Sequence, residues 1–157
     1  MQPNKKLYIG LGIFVIIIVV GIIFVNFGPN PPEKNTYQIP SPEEIVQQYF
    51  ESWGAKDWPN MYATISDGFK KIDPNAKDFA AFKKYAESQN IVAVKIIDIK
   101  LDSKTNAVAT VSYVVEFTLS DSSTKQVSDK FTLKYRDGDV IAGWKLIHPY
   151  GQNVDTS

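Results

Sequence analysis

Acid–base chemistry in this sequence depends on two residues, Asp129 and the single histidine, His148. If Asp137 and Gly138 form a two-residue hairpin turn, the flanking strands pair Asp129 with Leu146 and bring Asp129 diagonally next to His148. A carboxylate beside a partly desolvated imidazole orients it to act as a general base. The other interpretation is that both residues lie at the end of a sheet, near solvent, where they have no catalytic role.

A group of aromatic residues forms a second candidate site, because aromatic faces stack on apolar or sugar-like ligands. Such side chains more often fill the core of a domain, and one of them, Trp144, is expected in the core under either interpretation. The sequence therefore leaves a ligand pocket and an ordinary aromatic core as alternatives. The candidate pocket residues are Trp53, Trp58, Tyr62, Tyr113 and Trp144.

The polar face of the predicted sheet is a third candidate, as a docking surface for a partner domain. A solvated face is the simpler interpretation. Its residues are Thr110, Ser112, Glu116, Thr118, Lys130, Thr132, Lys134 and Arg136.

Metal and thiol chemistry are disfavoured by the residue counts. One histidine and no cysteine are too few for a multi-histidine or cysteine zinc site, and the acidic residues lack calcium-loop spacing. An S-x-x-K sequence at residues 122–125 lies in a predicted turn, without the helix start and the K-T-G partner that acylating serine enzymes use. We therefore predict no metal and no cofactor, and we favour binding over catalysis.

Three helices are predicted to position these residues. The first begins at a capping box in residues 41–44, and Gly54 is expected to end it. The second starts after Asp57 and stops near residues 67–68. The third spans about residues 76–88. Each helix has an apolar face at three- and four-residue spacing.

Four strands are predicted to follow the helices, because from residue 91 onward the apolar period changes to two. In the first strand the apolar residues change face between Ile96 and Ile97, which predicts a β-bulge. The last strand is expected to direct Val140, Trp144 and His148 to the inner face. Helices followed by an antiparallel sheet with one apolar face predict an α+β domain, with the helices on the concave side of a curved sheet.

An apolar stretch at residues 7–27 precedes this domain. Its length and lack of charge predict a transmembrane helix that crosses about 30 Å of hydrocarbon. It is too long for a signal peptide and has no small-residue cleavage site, so we interpret it as an uncleaved signal anchor. Lys5 and Lys6 before the span predict an N-terminus inside a prokaryotic cytoplasmic membrane and a C-terminal domain outside it.

The sequence accordingly divides into a cytoplasmic tail at residues 1–6, the span at 7–27, a Pro-rich linker at 28–40, one domain at 41–150 and a flexible tail at 151–157. Seventeen basic and seventeen acidic residues give no excess positive charge for nucleic acid. The predicted partners are the lipid bilayer, through residues 7–27, and an envelope protein or cell-wall ligand.

Three sequence segments resemble a known family. They are VQQYFESWGAKDWPNMYATIS, then DFAAFKKYAES, then FTLKYRDGDVIAGWKLIHPY. Together they resemble the cone-shaped NTF2-like (cystatin-like) superfamily, and more closely the small NTF2-like domain that precedes the transpeptidase domain in some penicillin-binding proteins. The similarity covers about residues 41–150, and the 157 residues leave no room for a transpeptidase domain.

The resemblance implies a deep cone with apolar walls, and a role as an envelope-facing accessory or binding module. Combined with the predicted anchor, it indicates a membrane-anchored extracytoplasmic NTF2-like module that acts without catalysis on an envelope protein or ligand. The family also includes enzymes. The alternative is therefore a small tethered hydrolase or isomerase that uses Asp129 and His148.

Overall fold

The computed structural model describes residues 38–147. The predicted span at residues 7–27, the linker up to residue 37 and His148 lie outside this range. Within it, four helices precede one four-stranded antiparallel sheet: α1 Pro42–Ala55, α2 Trp58–Ala63, α3 Asp67–Ile72, α4 Phe79–Ser88, β1 Ile91–Lys104, β2 Val108–Leu119, β3 Thr124–Arg136 and β4 Gly143–Leu146. None of the helices in residues 38–147 is long and apolar enough to cross a bilayer.

The capping box predicted at the start of α1 is confirmed. The Ser41 hydroxyl accepts a hydrogen bond from the Glu44 N–H at 3.2 Å, and the Glu44 carboxylate accepts one from the Ser41 N–H at 2.6 Å. The predicted end is wrong, because Gly54 lies inside the last turn and the C-cap is Lys56, in the left-handed conformation with φ 57°. α1 therefore runs slightly further over the sheet than expected.

Four helices replace the three that the sequence predicted. The additional helix, α3, starts where the second helix was expected to stop, because the Ser66 hydroxyl caps it by accepting the Phe69 N–H at 3.1 Å. α4 starts at Phe79 and not near residue 76, since the Asp78 carboxylate accepts the Ala81 N–H at 2.8 Å and fixes the first turn there.

The sheet is a meander in the order β1-β2-β3-β4. The predicted bulge in β1 is confirmed by a register shift between Ile96 and Asp98, which leaves Ile97 exposed on the outside. Two further shifts, between residues 91 and 93 and between 101 and 103, were not predicted. Three irregularities in one strand increase its local twist and bend it, and so curve the sheet around the helices.

The core lies between α1 and the concave face of the sheet. Four rings at its centre, here named the aromatic interior, are Tyr49, Phe50, Tyr113 and Phe131. The ring centroids lie 4.6 Å apart between Tyr113 and Phe131, 4.8 Å between Phe50 and Tyr113, and 5.6 Å between Tyr49 and Phe131. All four side chains are buried. The alternation predicted for β2 and β3 is thus confirmed.

The predicted register between β3 and β4 is wrong. Leu133 pairs with Leu146 and Tyr135 with Trp144, whereas a two-residue turn at 137–138 would have placed Val140 opposite Tyr135. The chain instead makes a longer connection at residues 137–142, and β4 starts at Gly143, whose φ of 139° favours glycine. Val140, predicted to face inward, is 94% exposed.

The segment between α2 and α3 extends the sheet beyond β4. The Leu146 N–H donates to the Thr64 carbonyl and the Ser66 N–H donates to the Leu146 carbonyl, both at 2.9 Å. Ile65 forms a parallel bridge with Leu146 at the same place. This pairing positions the N-terminus of α3 beside the connection at residues 137–142.

Candidate functional site

Asp129 lies on β3, where it pairs with Tyr113 of β2 and is exposed. Its carboxylate accepts a hydrogen bond from the Lys130 N–H at 2.8 Å. Burial raises the pKa of the Tyr113 hydroxyl, and the charge of Asp129 raises it further. His148 is not among the described residues, so its neighbourhood stays a prediction. The register used to place it beside Asp129 is wrong, because Leu146 pairs with Leu133.

The structure places the five predicted pocket residues in different parts of the domain. Tyr113 belongs to the aromatic interior. Trp144 is buried against Tyr135, with ring centroids 5.6 Å apart. Trp53 packs on Tyr49 and on Phe117 at centroid distances of 5.7 and 5.4 Å. Three of the five rings therefore serve as packing groups.

The other two predicted pocket residues line different clefts. Trp58 borders one of about 260 Å³ beside the start of β1, and Tyr62 borders the cleft described next. The predicted docking face of the sheet is partly exposed along β2 and β3. There, the Ser112 hydroxyl donates to the Asp102 carboxylate of β1.

A cleft of about 310 Å³, here named the rim cleft, lies where α2, α3, β4 and the connection at residues 137–142 meet. Its position follows from the pairing of residues 64–66 with β4. A shallower basin of about 710 Å³ borders it and shares Asp67, Lys70, Asp139 and Val140 with it. The rim cleft is lined by Pro59, Tyr62, Ala63, Asp67, Lys70, Asp139, Val140, Ile141 and Lys145.

Two carboxylates join α3 to the connection at the edge of this cleft. Asp139 Oδ2 accepts the Asp67 N–H at 3.1 Å, and Asp67 Oδ2 accepts the Val140 N–H at 2.9 Å. The remaining oxygens pair with cations: Asp67 Oδ1 with Lys70 Nζ at 3.1 Å, and Asp139 Oδ1 with Arg136 Nε at 3.3 Å. Every carboxylate oxygen of the pair thus has a partner.

The hydrogen bond from Val140 is the main reason that the pKa of Asp67 is lowered from its ordinary value. Lys70 and Lys145 lower it further by charge, while burial acts in the opposite direction. Because the bonded form is the carboxylate, the connection between α3 and residues 137–142 depends on Asp67 being ionised.

Lys145 is the most unusual residue of the rim cleft, since its side chain is charged and yet only 6% of the residue is exposed. Its Nζ donates to the Ala63 carbonyl at 2.6 Å. Burial lowers the pKa of Lys145, Lys70 lowers it further, and the charges of Asp139 and Asp67 partly offset both effects. A buried cation is expensive unless it is paired, so this residue calls for a functional explanation.

Tyr62 contributes an aromatic wall. Its hydroxyl donates to the Ala76 carbonyl at 2.9 Å, and Lys70 Nζ lies 4.3 Å from the centre of its ring. Burial raises the pKa of Tyr62, and the charges of Asp78 and Asp67 raise it further. Tyr62 therefore stays neutral at physiological pH and is a packing surface more than an acid or base.

We did not predict Lys145, Asp67 or Asp139 as site residues from the sequence. Strand alternation assigns Lys145 to the solvent side of β4, but residues 64–66 cover the edge of that strand and all four of its residues are buried. One signal was present in the sequence, the two aspartates at 137 and 139 separated only by Gly138, which we interpreted as a hairpin turn. Among residues 38–147, no group of three or more His, Cys, Asp or Glu side chains is arranged to hold a metal ion.

No family model and no curated protein matches this chain significantly. A SEC-C motif containing protein from Rhodopseudomonas palustris matches with a TM-score of 0.52 and 15% identity, over 73% of this chain and 80% of that one. A sec-c motif containing protein from Psychrobacter arcticus matches with a TM-score of 0.49 and 11% identity, over 76% of this chain and 65% of that one. This chain thus spans slightly less than two thirds of the Psychrobacter protein.

An NTF-2 like protein of unknown function from Shewanella oneidensis also matches, with a TM-score of 0.45 and 14% identity, over 66% of this chain and 88% of that one. At these identities the likeness is one of fold. The observed helices and antiparallel sheet are of the predicted α+β class, and these matches leave the NTF2-like superfamily a prediction. They do not show the predicted relation to penicillin-binding transpeptidases.

Proposed function

We propose that this protein is a membrane-anchored extracytoplasmic binding module that acts without catalysis on an envelope protein or ligand. The observation that carries the proposal is the filled aromatic interior. In a cone-shaped fold, catalysis needs space for a substrate among inward-facing polar groups. Here that space is occupied by Tyr49, Phe50, Tyr113 and Phe131, whose rings are in contact and buried.

Polar groups with directional hydrogen bonds are concentrated at the rim instead. Asp67, Asp139 and Lys145 lie together in a cleft at the edge of the domain, and the exposed Val140 and Ile141 border it. Such a site is accessible from solution without any opening of the core. This arrangement suits recognition of a partner or ligand by the surface of the domain.

The membrane part of the proposal rests on the sequence. Residues 7–27 act as the signal anchor, residues 28–40 as the spacer, and the two lysines before the span keep the N-terminus inside. The domain is then held outside the cytoplasmic membrane, within reach of other envelope components.

The alternative predicted from the sequence was a hydrolase or isomerase that uses Asp129 and His148. Its premise was the β3–β4 register, and the observed register pairs Leu146 with Leu133 instead of Asp129. No observation among the described residues favours this enzyme over the binding module.

The location can be tested by labelling, because the chain has no cysteine. Lys84 is exposed on α4, so the Lys84→Cys variant is expected to react with a membrane-impermeant maleimide in intact cells. The matched variant Gln2→Cys is expected to react only after lysis. The reverse pattern would place the domain in the cytoplasm and overturn the proposal.

Binding at the rim can be tested in the same cells with a photo-crosslinking side chain. Placed at Val140, it is expected to give an adduct, of protein or small-molecule size, that is detected as a mass increase of the purified chain. The same side chain at Lys84 serves as the control. Absence of an adduct at Val140, or equal adducts at both positions, would contradict binding at the rim.

A further inference from the structure

The ammonium group of Lys145 has more donors than it has acceptors among residues 38–147. A lysine carries three N–H donors, and buried polar groups in folded proteins are almost always hydrogen-bonded. Within residues 38–147, the one hydrogen-bond acceptor for Lys145 Nζ is the Ala63 carbonyl. Ala63 and Lys145 both line the rim cleft, so the ammonium group lies at the wall of that cleft.

The two carboxylates of the cleft do not supply the missing acceptor. Each oxygen of Asp67 and Asp139 is already engaged, by Lys70, Arg136 or a backbone N–H, and neither residue forms an ion pair with Lys145 within 4 Å. Lys70 and Arg136 are the cations paired with the two carboxylates. The Lys145 ammonium group therefore keeps N–H donors that have no acceptor among the described residues, and these donors favour an anion in the cleft.

The rest of the lining is apolar and small in extent. Pro59, the Tyr62 ring, Ala63 and Ile141 face a volume of about 310 Å³, which lies at the lower end of the range for small-molecule sites. A ligand of this size with one anionic group and an apolar body would match both parts of the wall.

We propose that the rim cleft binds small monocarboxylates with an apolar body. The carboxylate accepts hydrogen bonds from Lys145, and the apolar body lies against Tyr62, Ala63 and Ile141. The assignment names the ligand class of the binding module, and in that respect it rests on the proposed function. It does not depend on the anchor or on the side of the membrane.

The electrostatics of the cleft agree with this assignment. Burial lowers the pKa of Lys145, and a bound carboxylate would raise it again by favouring the charged amine. Affinity is therefore expected to fall as the pH rises through the pKa of Lys145, which lies below its ordinary value of 10.5. The charged groups that act on Lys145 are Lys70, which lowers its pKa, and Asp139 and Asp67, which raise it.

Benzoate and benzamide are suitable probes, since they share a shape and differ in charge. Binding can be measured by saturation-transfer NMR on the full chain in lipid nanodiscs, with empty nanodiscs subtracted. Benzoate is expected to bind at least about tenfold more tightly than benzamide, because only benzoate can form a charge-assisted hydrogen bond with Lys145. The Lys145→Met variant should lose this preference, and the exposed Lys84→Met variant should keep it.

Equal binding of the two probes to the unmodified chain, or a preference retained in Lys145→Met, would overturn the assignment. If the Lys145→Met variant does not fold, a pH series on the unmodified chain decides the question instead. Constant benzoate affinity from pH 7 to pH 11, past the ordinary lysine pKa of 10.5, would exclude a role for the Lys145 charge. If the carboxylate assignment is wrong, the maleimide pattern of Lys84→Cys is still the one expected for a domain outside the membrane. If the proposed location is wrong, the maleimide pattern is reversed and benzoate still binds.

Discussion

The aromatic interior and the rim cleft are both assembled from residues far apart in the chain, but different forces hold them. In the interior, rings from α1, β2 and β3 are in contact at centroid distances of 4.6 to 5.8 Å, and burial of apolar area supplies the stability. In the cleft, Asp67 and Asp139 are bonded across 72 positions of sequence by directional hydrogen bonds. The interior is therefore held by apolar packing, and the cleft is held by hydrogen bonds and ion pairs between charged side chains.

The largest expected effect is a loss of stability in the aromatic interior. Phe131→Ala removes a ring that contacts Tyr49, Phe50 and Tyr113, and should reduce the free energy of unfolding by about 3–5 kcal/mol. Denaturant titration of the variant and of the unmodified chain measures this loss. Phe79→Ala is the control, because Phe79 is exposed on α4 and should cost about 1 kcal/mol or less. Equal losses would mean that the interior is not tightly packed.

The next effect concerns the bonds that build the cleft. The side chain of Asp139 is 5% exposed, and Asp139→Ala would leave the Asp67 N–H and the Arg136 side chain without their acceptor. The expected cost is about 1–3 kcal/mol in the free energy of unfolding. Asp137→Ala, two residues earlier and exposed, should change stability by less than about 0.5 kcal/mol. An Asp139→Ala variant with the same free energy of unfolding as the unmodified chain would show that the connection at residues 137–142 is not fixed to α3.

The pH dependence of stability distinguishes the cleft from the aromatic interior, because the cleft depends on the ionised Asp67 carboxylate and the interior depends on apolar packing. The folded-state pKa of Asp67 lies below its ordinary value of 3.8, so its contribution is fully present above pH 3.8 and is lost as the pH falls through the folded pKa. Asp67→Asn should therefore be less stable than the unmodified chain at neutral pH, with a gap that narrows in acid. A gap that is constant between pH 2 and pH 7 would contradict ionisation of Asp67 as the cause.

The smallest effect is expected at the exposed edge of the cleft. Val140 is 94% exposed, so Val140→Ser should change the free energy of unfolding by less than about 0.5 kcal/mol. Thermal unfolding of the variant and of the unmodified chain measures this difference. A clear destabilisation would show that Val140 is buried in solution, as the sequence analysis expected, and that the edge of the cleft is part of the core.

Local patterns were enough to predict the interior. The capping box at Ser41, the alternation of β2 and the face change at Ile97 each follow from neighbouring residues, and the structure confirms all three. Apolar burial needs only the correct face of each element, so small errors in helix ends do not displace the aromatic rings.

The cleft could not be predicted in the same way, because it depends on one long-range contact. The Asp67–Asp139 bonds fix a longer connection at residues 137–142 to α3. β4 is displaced by four residues relative to the predicted register. Pairing of residues 64–66 with β4 is equally non-local. Strand periodicity contains no information on either contact.

Methyl NMR of the full chain in nanodiscs, titrated with benzoate, tests the central claim most directly, because it reports on both regions at once. We expect shifts for the methyl groups of Ala63 and Ile141, which line the rim cleft, and unchanged signals for Val111 and Leu133 in the core. Shifts of the core methyl groups with unchanged signals from Ala63 and Ile141 would place the binding site inside the core and contradict binding at the rim cleft.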